Sequence, residues 1–180
     1  MNLIIVNGLP GTGKSTLAKK LADKLSSPLI MKDGIKEFLF DALGTKDRAW
    51  SGELGKFSYK YLYELTDFML ENGHSVIIEN AFERKYSKPA IQQIIEKNKP
   101  DNVYEIYCFT DTTTRRNRYK ERNESGNRHA DHVDHLNYLS DSDPEPTEKY
   151  APLDVGALTK IDTTDFKNVK TKDILANIKS

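Results

Sequence analysis

The decapeptide NGLPGTGKST, Asn7 to Thr16, lies between an apolar run, Leu3-Ile4-Ile5-Val6, and a segment in which Leu17, Ala18, Leu21, Ala22 and Leu25 recur on one helical face. Gly8, Gly13, Lys14 and Ser15 fill every fixed position of G-x-x-x-x-G-K-[ST], with a strand pattern before them and a helix pattern after. No other stretch limits the fold as tightly. A loop of this kind turns backbone N–H groups inward, and the following helix adds the positive end of its dipole, so together they cradle phosphates. Gly11 and Gly13 leave space for close approach of a nucleotide, and Lys14 reaches its outer phosphates. The Ser15 hydroxyl is placed to bind Mg²⁺. A plain glycine turn would not need Lys-Ser after its last glycine. Gly8, Gly11, Thr12, Gly13, Lys14, Ser15 and Thr16 are therefore the candidate nucleotide-binding residues.

Strand and helix patterns alternate along the rest of the chain. Strands are expected at Leu3–Val6, Pro28–Met31, Ser75–Ile78, Val103–Phe109 and Leu158–Ile161. Helices are expected over Leu17–Leu25, over Ile35–Leu43 ending at Gly44, from Leu54 to near Gly73, around Ile91–Ile95, over residues 112–124, and around Ile174–Ile178. Such alternation implies an α/β fold, a parallel five-stranded sheet with helices on both faces. Within 180 residues it implies one domain spanning 1–180. The stretch Ser125–Pro152, rich in Asn, Asp, His and Pro, reads as an exposed excursion, and with the end of the preceding helix it makes a lid candidate at about 118–152.

Composition excludes several classes. Lys and Arg balance Asp and Glu at 27 each, so nothing favours a polyanion as obligate partner, and nucleic acid is disfavoured though not ruled out. The single cysteine, Cys108, lies in an apolar run and reads as a core residue, and no internal disulfide is possible. No run is long enough to span a bilayer and no leader is recognisable, so a cytoplasmic protein without membrane attachment is expected.

A phosphate loop serves switches, motors and transferases alike. Thr159-Lys160-Ile161-Asp162 and Asp41-Ala42-Leu43-Gly44 imitate guanine-nucleotide motifs. Asp41, however, falls in a helical pattern, and too little chain follows Asp162 for the remaining switch elements. A motor expects an acidic pair closing the third strand. Here Val76-Ile77-Ile78 ends in Glu79-Asn80: one carboxylate for Mg²⁺ or its water, and no second one to activate water. That favours transfer over hydrolysis.

A transferase needs an acceptor site and a cover that excludes water. Asp33, just past the second strand, should face the cradle and can accept a hydroxyl proton. Its alternative role is N-cap of the helix Ile35–Leu43, and the two can coexist. The cover candidate is RYKERNESGNRHADH, Arg118 to His132. Arg118 and Arg122 share a helix face and Arg128 follows a Ser-Gly turn, so three guanidiniums can close over a triphosphate. A solvated charged helix is the simpler reading of the same run. His129, His132 and His135 step by three and drift around a helix, which argues against a metal site; His129 is read as a phosphate contact or an exposed residue. Lys36, one turn beyond Asp33, is a candidate acceptor contact. Phe40, Trp50, Phe57 and Tyr61 are read chiefly as core, with a place in the acceptor pocket as the alternative.

Taken together, Gly8-x4-Gly13-Lys14-Ser15-Thr16, Asp33 before a helix, VIIEN at Val76–Asn80, and Arg118-x3-Arg122-x5-Arg128-His129 resemble the P-loop small-molecule kinases, closest to the AAA-domain or zeta-toxin-like group. Chloramphenicol phosphotransferase, gluconate kinase and polynucleotide kinase are similar. The resemblance runs from Leu3 to Ile178. It implies a three-layer α/β/α fold with a lid, and transfer from ATP with Mg²⁺ to a hydroxyl. It implies an acceptor-side base at Asp33 and lid arginines at Arg118, Arg122 and Arg128. Two positions depart from the family pattern: Glu79 stands for a more frequent Asp, and Ala130-Asp131 for a Pro-Gly turn. The expectation is thus a phosphotransferase that uses ATP and Mg²⁺ on a small hydroxyl-bearing acceptor. The alternatives are a nucleoside, nucleotide or polynucleotide 5′-hydroxyl kinase, and a regulatory module that binds ATP without transferring phosphate.

Overall fold

The computed structural model describes residues 1–124, 129 and 147–179. In chain order the elements are β1 (Asn2–Asn7), α1 (Lys14–Leu25), β2 (Leu29–Met31), α2 (Lys32–Leu43), α3 (Arg48–Glu71), β3 (Val76–Glu79), α4 (Arg84–Asn98), β4 (Asn102–Phe109), α5 (Thr112–Glu124), β5 (Ala157–Asp162) and α6 (Thr171–Lys179). A 3₁₀ turn, Phe166–Asn168, precedes α6. The five strands form one parallel sheet in the order β2-β3-β1-β4-β5.

β1 is central, so its apolar run is buried on both faces. Leu3 and Ile5 join the core beneath α3 and α4, with Leu62, Leu70, Ile91 and Phe82. Ile4 and Val6 point the other way, to Leu17, Ala18 and Leu21 of α1 and Ile174 and Ile178 of α6. This alternation produces the three layers. Cys108 lies in the second core, fully buried, as its apolar surroundings require, and burial pushes its thiol up to about 12.

The register puts Asn7, Met31, Glu79, Phe109 and Asp162 at one edge, the C-terminal ends of the strands. The chain runs from β1 to β2 and β3 on one side and then crosses β1 to β4 on the other. Parallel sheets bind ligands at such a switch point.

Two expected boundaries move. β2 runs into α2 without a loop, so α2 begins at Lys32 rather than Ile35. α3 begins at Arg48, well before the apolar pattern, because the Asp47 side chain caps it by accepting from the Trp50 N–H at 2.8 Å. Asp41 is helical and Thr159–Asp162 is strand, so neither imitates a guanine-nucleotide motif in space.

One buried carboxylate joins distant parts of this frame. Glu105 of β4 is fully buried. It accepts from the backbone N–H groups of Leu153 at 2.7 Å and Asp154 at 2.9 Å, and from Asn7 Nδ2 at 3.3 Å. Asn7 in turn accepts from the N–H of Gly8 at 2.7 Å and of Phe82 at 3.1 Å. The chain returning at Lys149–Asp154 is thereby fixed to the sheet beside the phosphate loop. Glu105→Ala strips these donors of a partner and is expected to cost about 3 kcal/mol. Urea unfolding checks this through a lowered midpoint at unchanged slope.

Candidate active site

The loop Gly8–Gly13 leaves β1 and enters α1 at its first residue, Lys14. Its shape depends on positions where a side chain cannot fit. Gly8 has φ 140°, and a Cβ there would lie 2.2 Å from the Cys108 carbonyl oxygen. Gly13 has φ 75°, and a Cβ there would meet the Phe166 ring at 2.3 Å. Thr12 turns inward, its hydroxyl donating to the Leu9 carbonyl at 2.8 Å. The Thr163 hydroxyl, just beyond β5, stands 2.7 Å from the Thr12 carbonyl and 2.9 Å from that of Phe109. Arg115 closes the outer side, donating to the Pro10 carbonyl at 3.2 Å. Of the cradle residues, Ser15 is half-buried and Thr16 exposed.

Lys14 is 7 % exposed and donates from Nζ to the Leu9 carbonyl at 2.9 Å. Burial pushes its ammonium below the ordinary lysine range, and the charges of Glu79, Cys108 and Asp33 oppose that shift. Glu79, at the end of β3, is 4 % exposed. Burial pushes its carboxyl upward; the Lys14 charge opposes this, Asp33 adds to it, and the Ser15 hydroxyl and Arg122 favour the ionised form. Lys14, Ser15, Glu79, Asp33 and Arg122 thus act on one another in a single cluster at the sheet edge. Ser15 and Glu79 together offer a hydroxyl and a carboxylate, hard oxygen donors that suit Mg²⁺. Among the described residues no three His, Cys, Asp or Glu side chains converge on a metal position.

Asp33 is not the N-cap of α2. Met31 takes that place with extended backbone and no side-chain cap, and Asp33 is the second residue of the helix. There the helix dipole favours its carboxylate. Its partner Lys32 is 3.4 Å away. Lys36 donates to the Ser51 hydroxyl at 2.9 Å and lies 5.2 Å over the Phe40 ring. His129 stacks on that ring at 5.8 Å, and its Nε2 is 3.0 Å from the Asp41 carboxylate. His129 is therefore seated on α2, half-buried, and not a plainly exposed residue. Phe40 is core, as read. Trp50 donates to the Gly44 carbonyl at 2.9 Å. Phe57 and Tyr61 are more than half exposed on α3, so neither is core.

The two described arginines of the lid candidate divide. Arg118 donates to the carbonyls of Thr163 at 2.8 Å and Thr164 at 2.9 Å and stands 5.5 Å over the Phe166 ring. Arg122 lies over Tyr119, and its charge reaches both Lys14 and Glu79. Arg128, His132 and His135 lie outside the described residues. Arg115, Thr163 and Phe166 complete the loop's surroundings without having been singled out in the sequence. Only Arg115 carries a signal there, since it precedes Arg118 and Arg122 by three and seven residues on the same helix face.

A family model described as an AAA domain matches residues 3–138. The chain belongs to the AAA domain family. It is 30% identical to a solved structure of a "putative kinase" from Chloroflexus aurantiacus. That match covers 99% of this chain and 93% of the other, with a TM-score of 0.83. Two more distant structures share the fold: a sugar kinase from Janibacter sp. HTCC2649 and an uncharacterized protein from Eubacterium ventriosum. The first is 16% identical, TM-score 0.51, covering 98% and 91% of the two chains. The second is 19% identical, TM-score 0.51, covering 100% and 99%. This AAA domain thus has a P-loop kinase-like, three-layer α/β/α fold. Among its described residues no helix is long and apolar enough to cross a membrane.

Proposed function

We propose that this chain transfers the γ-phosphoryl group of ATP to a hydroxyl of a small molecule. The observation that carries the reading is the place of Asp33. Its charge bears on both Lys14 and Glu79, which supports an acidic side chain from the β2 end serving the phosphate loop. Glu79 is followed by Asn80, which offers no second carboxylate to activate water. A carboxylate supplied from the acceptor side suits a hydroxyl nucleophile better than hydrolysis.

In this reading the loop amides and Lys14 hold the β- and γ-phosphates, and Lys14 exchanges its Leu9 carbonyl for phosphate oxygen. Ser15 and Glu79 hold Mg²⁺, which neutralises phosphate charge when bound. Asp33 accepts the acceptor's proton and aims its oxygen at the γ-phosphorus; that bond forms as the bond to the bridging oxygen breaks, and ADP leaves. Arg122 faces the transferring charge.

The test is transfer from γ-labelled ATP with Mg²⁺ to pooled nucleosides, sugars, aminoglycosides, chloramphenicol-like alcohols and 5′-hydroxyl oligonucleotides. A labelled small-molecule product supports the reading. Label found only as free phosphate, or only on oligonucleotides, overturns it in favour of hydrolysis or polynucleotide transfer.

A further inference from the structure

Helix α3 is the longest element, 24 residues, yet one of its faces meets nothing in the described structure. Its inner residues Leu54, Ser58, Leu62, Thr66 and Leu70 are buried, while Phe57 is 57% exposed, Tyr61 54% and Phe68 58%. At about 100° per residue these three rings fall within roughly 40° of one another, and at 1.5 Å per residue they extend about 16 Å along the axis. A stripe of this kind on a helix marks a contact surface rather than a solvated face.

The charges beside the stripe are divided along the helix. The exposed lysines, Lys56 and Lys60, lie in the first half, and the exposed acids Glu64 and Glu71 in the second, Glu71 already 3.8 Å from Lys97 of α4. Glu53 is the exception, and Lys56 already pairs with it at 2.6 Å. Such a face complements itself only when inverted. We propose that the outer face of α3 forms a two-fold symmetric dimer with a second copy of this chain, the two helices running antiparallel. A two-fold axis level with the peptide between Leu62 and Tyr63 sets Phe57 of one copy against Phe68 of the other and places Lys60 beside the second copy's Glu64. Both contacts occur twice, as a two-fold interface requires. A parallel arrangement would instead align Lys60 with Lys60 and Glu64 with Glu64.

Sedimentation velocity on the full chain across 1–100 µM tests this. The wild type is expected at twice the chain mass in the upper part of that range. The variant combining Phe57→Glu with Phe68→Glu is expected to be monomeric, with its thermal midpoint held because both side chains are exposed. Lys60→Glu alone and Glu64→Lys alone are each expected to weaken the dimer at least tenfold. Combining them should restore it, because the two charges are exchanged reciprocally. A monomeric wild type throughout the range, a dimer that survives the Phe pair, or a double charge variant no tighter than the singles overturns the proposal.

Discussion

Lys14→Met is expected to reduce phosphoryl transfer by about 10³-fold or more while leaving the protein folded. Lys14 is the cation of the phosphate cradle, in a site from which water is largely excluded. Removing one preorganised charge of this kind typically lowers turnover by about 10²–10³. Here the ground-state nucleotide also loses its strongest contact, so affinity falls alongside turnover. Stability should move the other way. Burial holds the Lys14 pKa below its unfolded value, so between the two values the unfolded chain binds more protons than the folded one. Stability contributed by this group therefore rises with pH through that window, and below it the buried ammonium is a cost. At neutral pH methionine removes that cost, and Glu79, already biased toward its neutral form by burial, takes up a proton more readily. Single-turnover transfer, nucleotide titration and a thermal melt on the same preparation check the three parts. A melt lowered by more than a few degrees would show that Lys14 chiefly supports the fold.

Asp33→Asn is the second large effect and has a different signature. Loss of a positioned base lowers turnover by about 10²–10⁴. The amide keeps the shape of the side chain but cannot take the acceptor's proton. Nucleotide affinity should change little, because Asp33 acts on the acceptor side. Stability should also change little. The carboxylate is 37% exposed, and its contact with Lys32 is an open ion pair worth at most about 1 kcal/mol. Its place in the first turn of α2 adds a dipole contribution of about 0.3–1 kcal/mol. The comparison that matters is between Lys14→Met, which weakens both nucleotide binding and transfer, and Asp33→Asn, which separates them. If Asp33→Asn transfers phosphate at the wild-type rate, the base lies elsewhere.

Much of this arrangement was legible in the sequence because its determinants are local. The phosphate loop announces itself within eight residues, and the strand pattern before it and the helix period after it gave the right elements. Arg118 and Arg122 were visible as a face of α5 because four-residue spacing is a helix property. Asp33 reads in the sequence as the acceptor-side base, with N-cap of α2 as the alternative, and the fold removes that alternative. An acidic residue ahead of an apolar helical pattern reads as an N-cap, whereas β2 passes directly into α2 and leaves that position to Met31. Thr163, Phe166 and Glu105 could not be found in this way. Each matters through a partner far away in the chain, and a hydroxyl, a ring or a strand carboxylate carries no signal of that partner. Phe57 and Tyr61 show the limit of the hydrophobic criterion, since an aromatic residue on a helix is equally consistent with core and with an exposed stripe.

The Thr163 hydroxyl reaches the Thr12 carbonyl across 151 residues of sequence, and Phe166 lies against Gly13 from equally far along the chain. During synthesis the loop motif therefore emerges long before the groups that brace it. A ribosome-bound chain that stops before β5 has the glycines and the lysine but lacks the groups that hold them in shape. A chain lacking β5 and the 3₁₀ turn is therefore expected to hold the phosphate loop less firmly than one that carries Thr163 and Phe166.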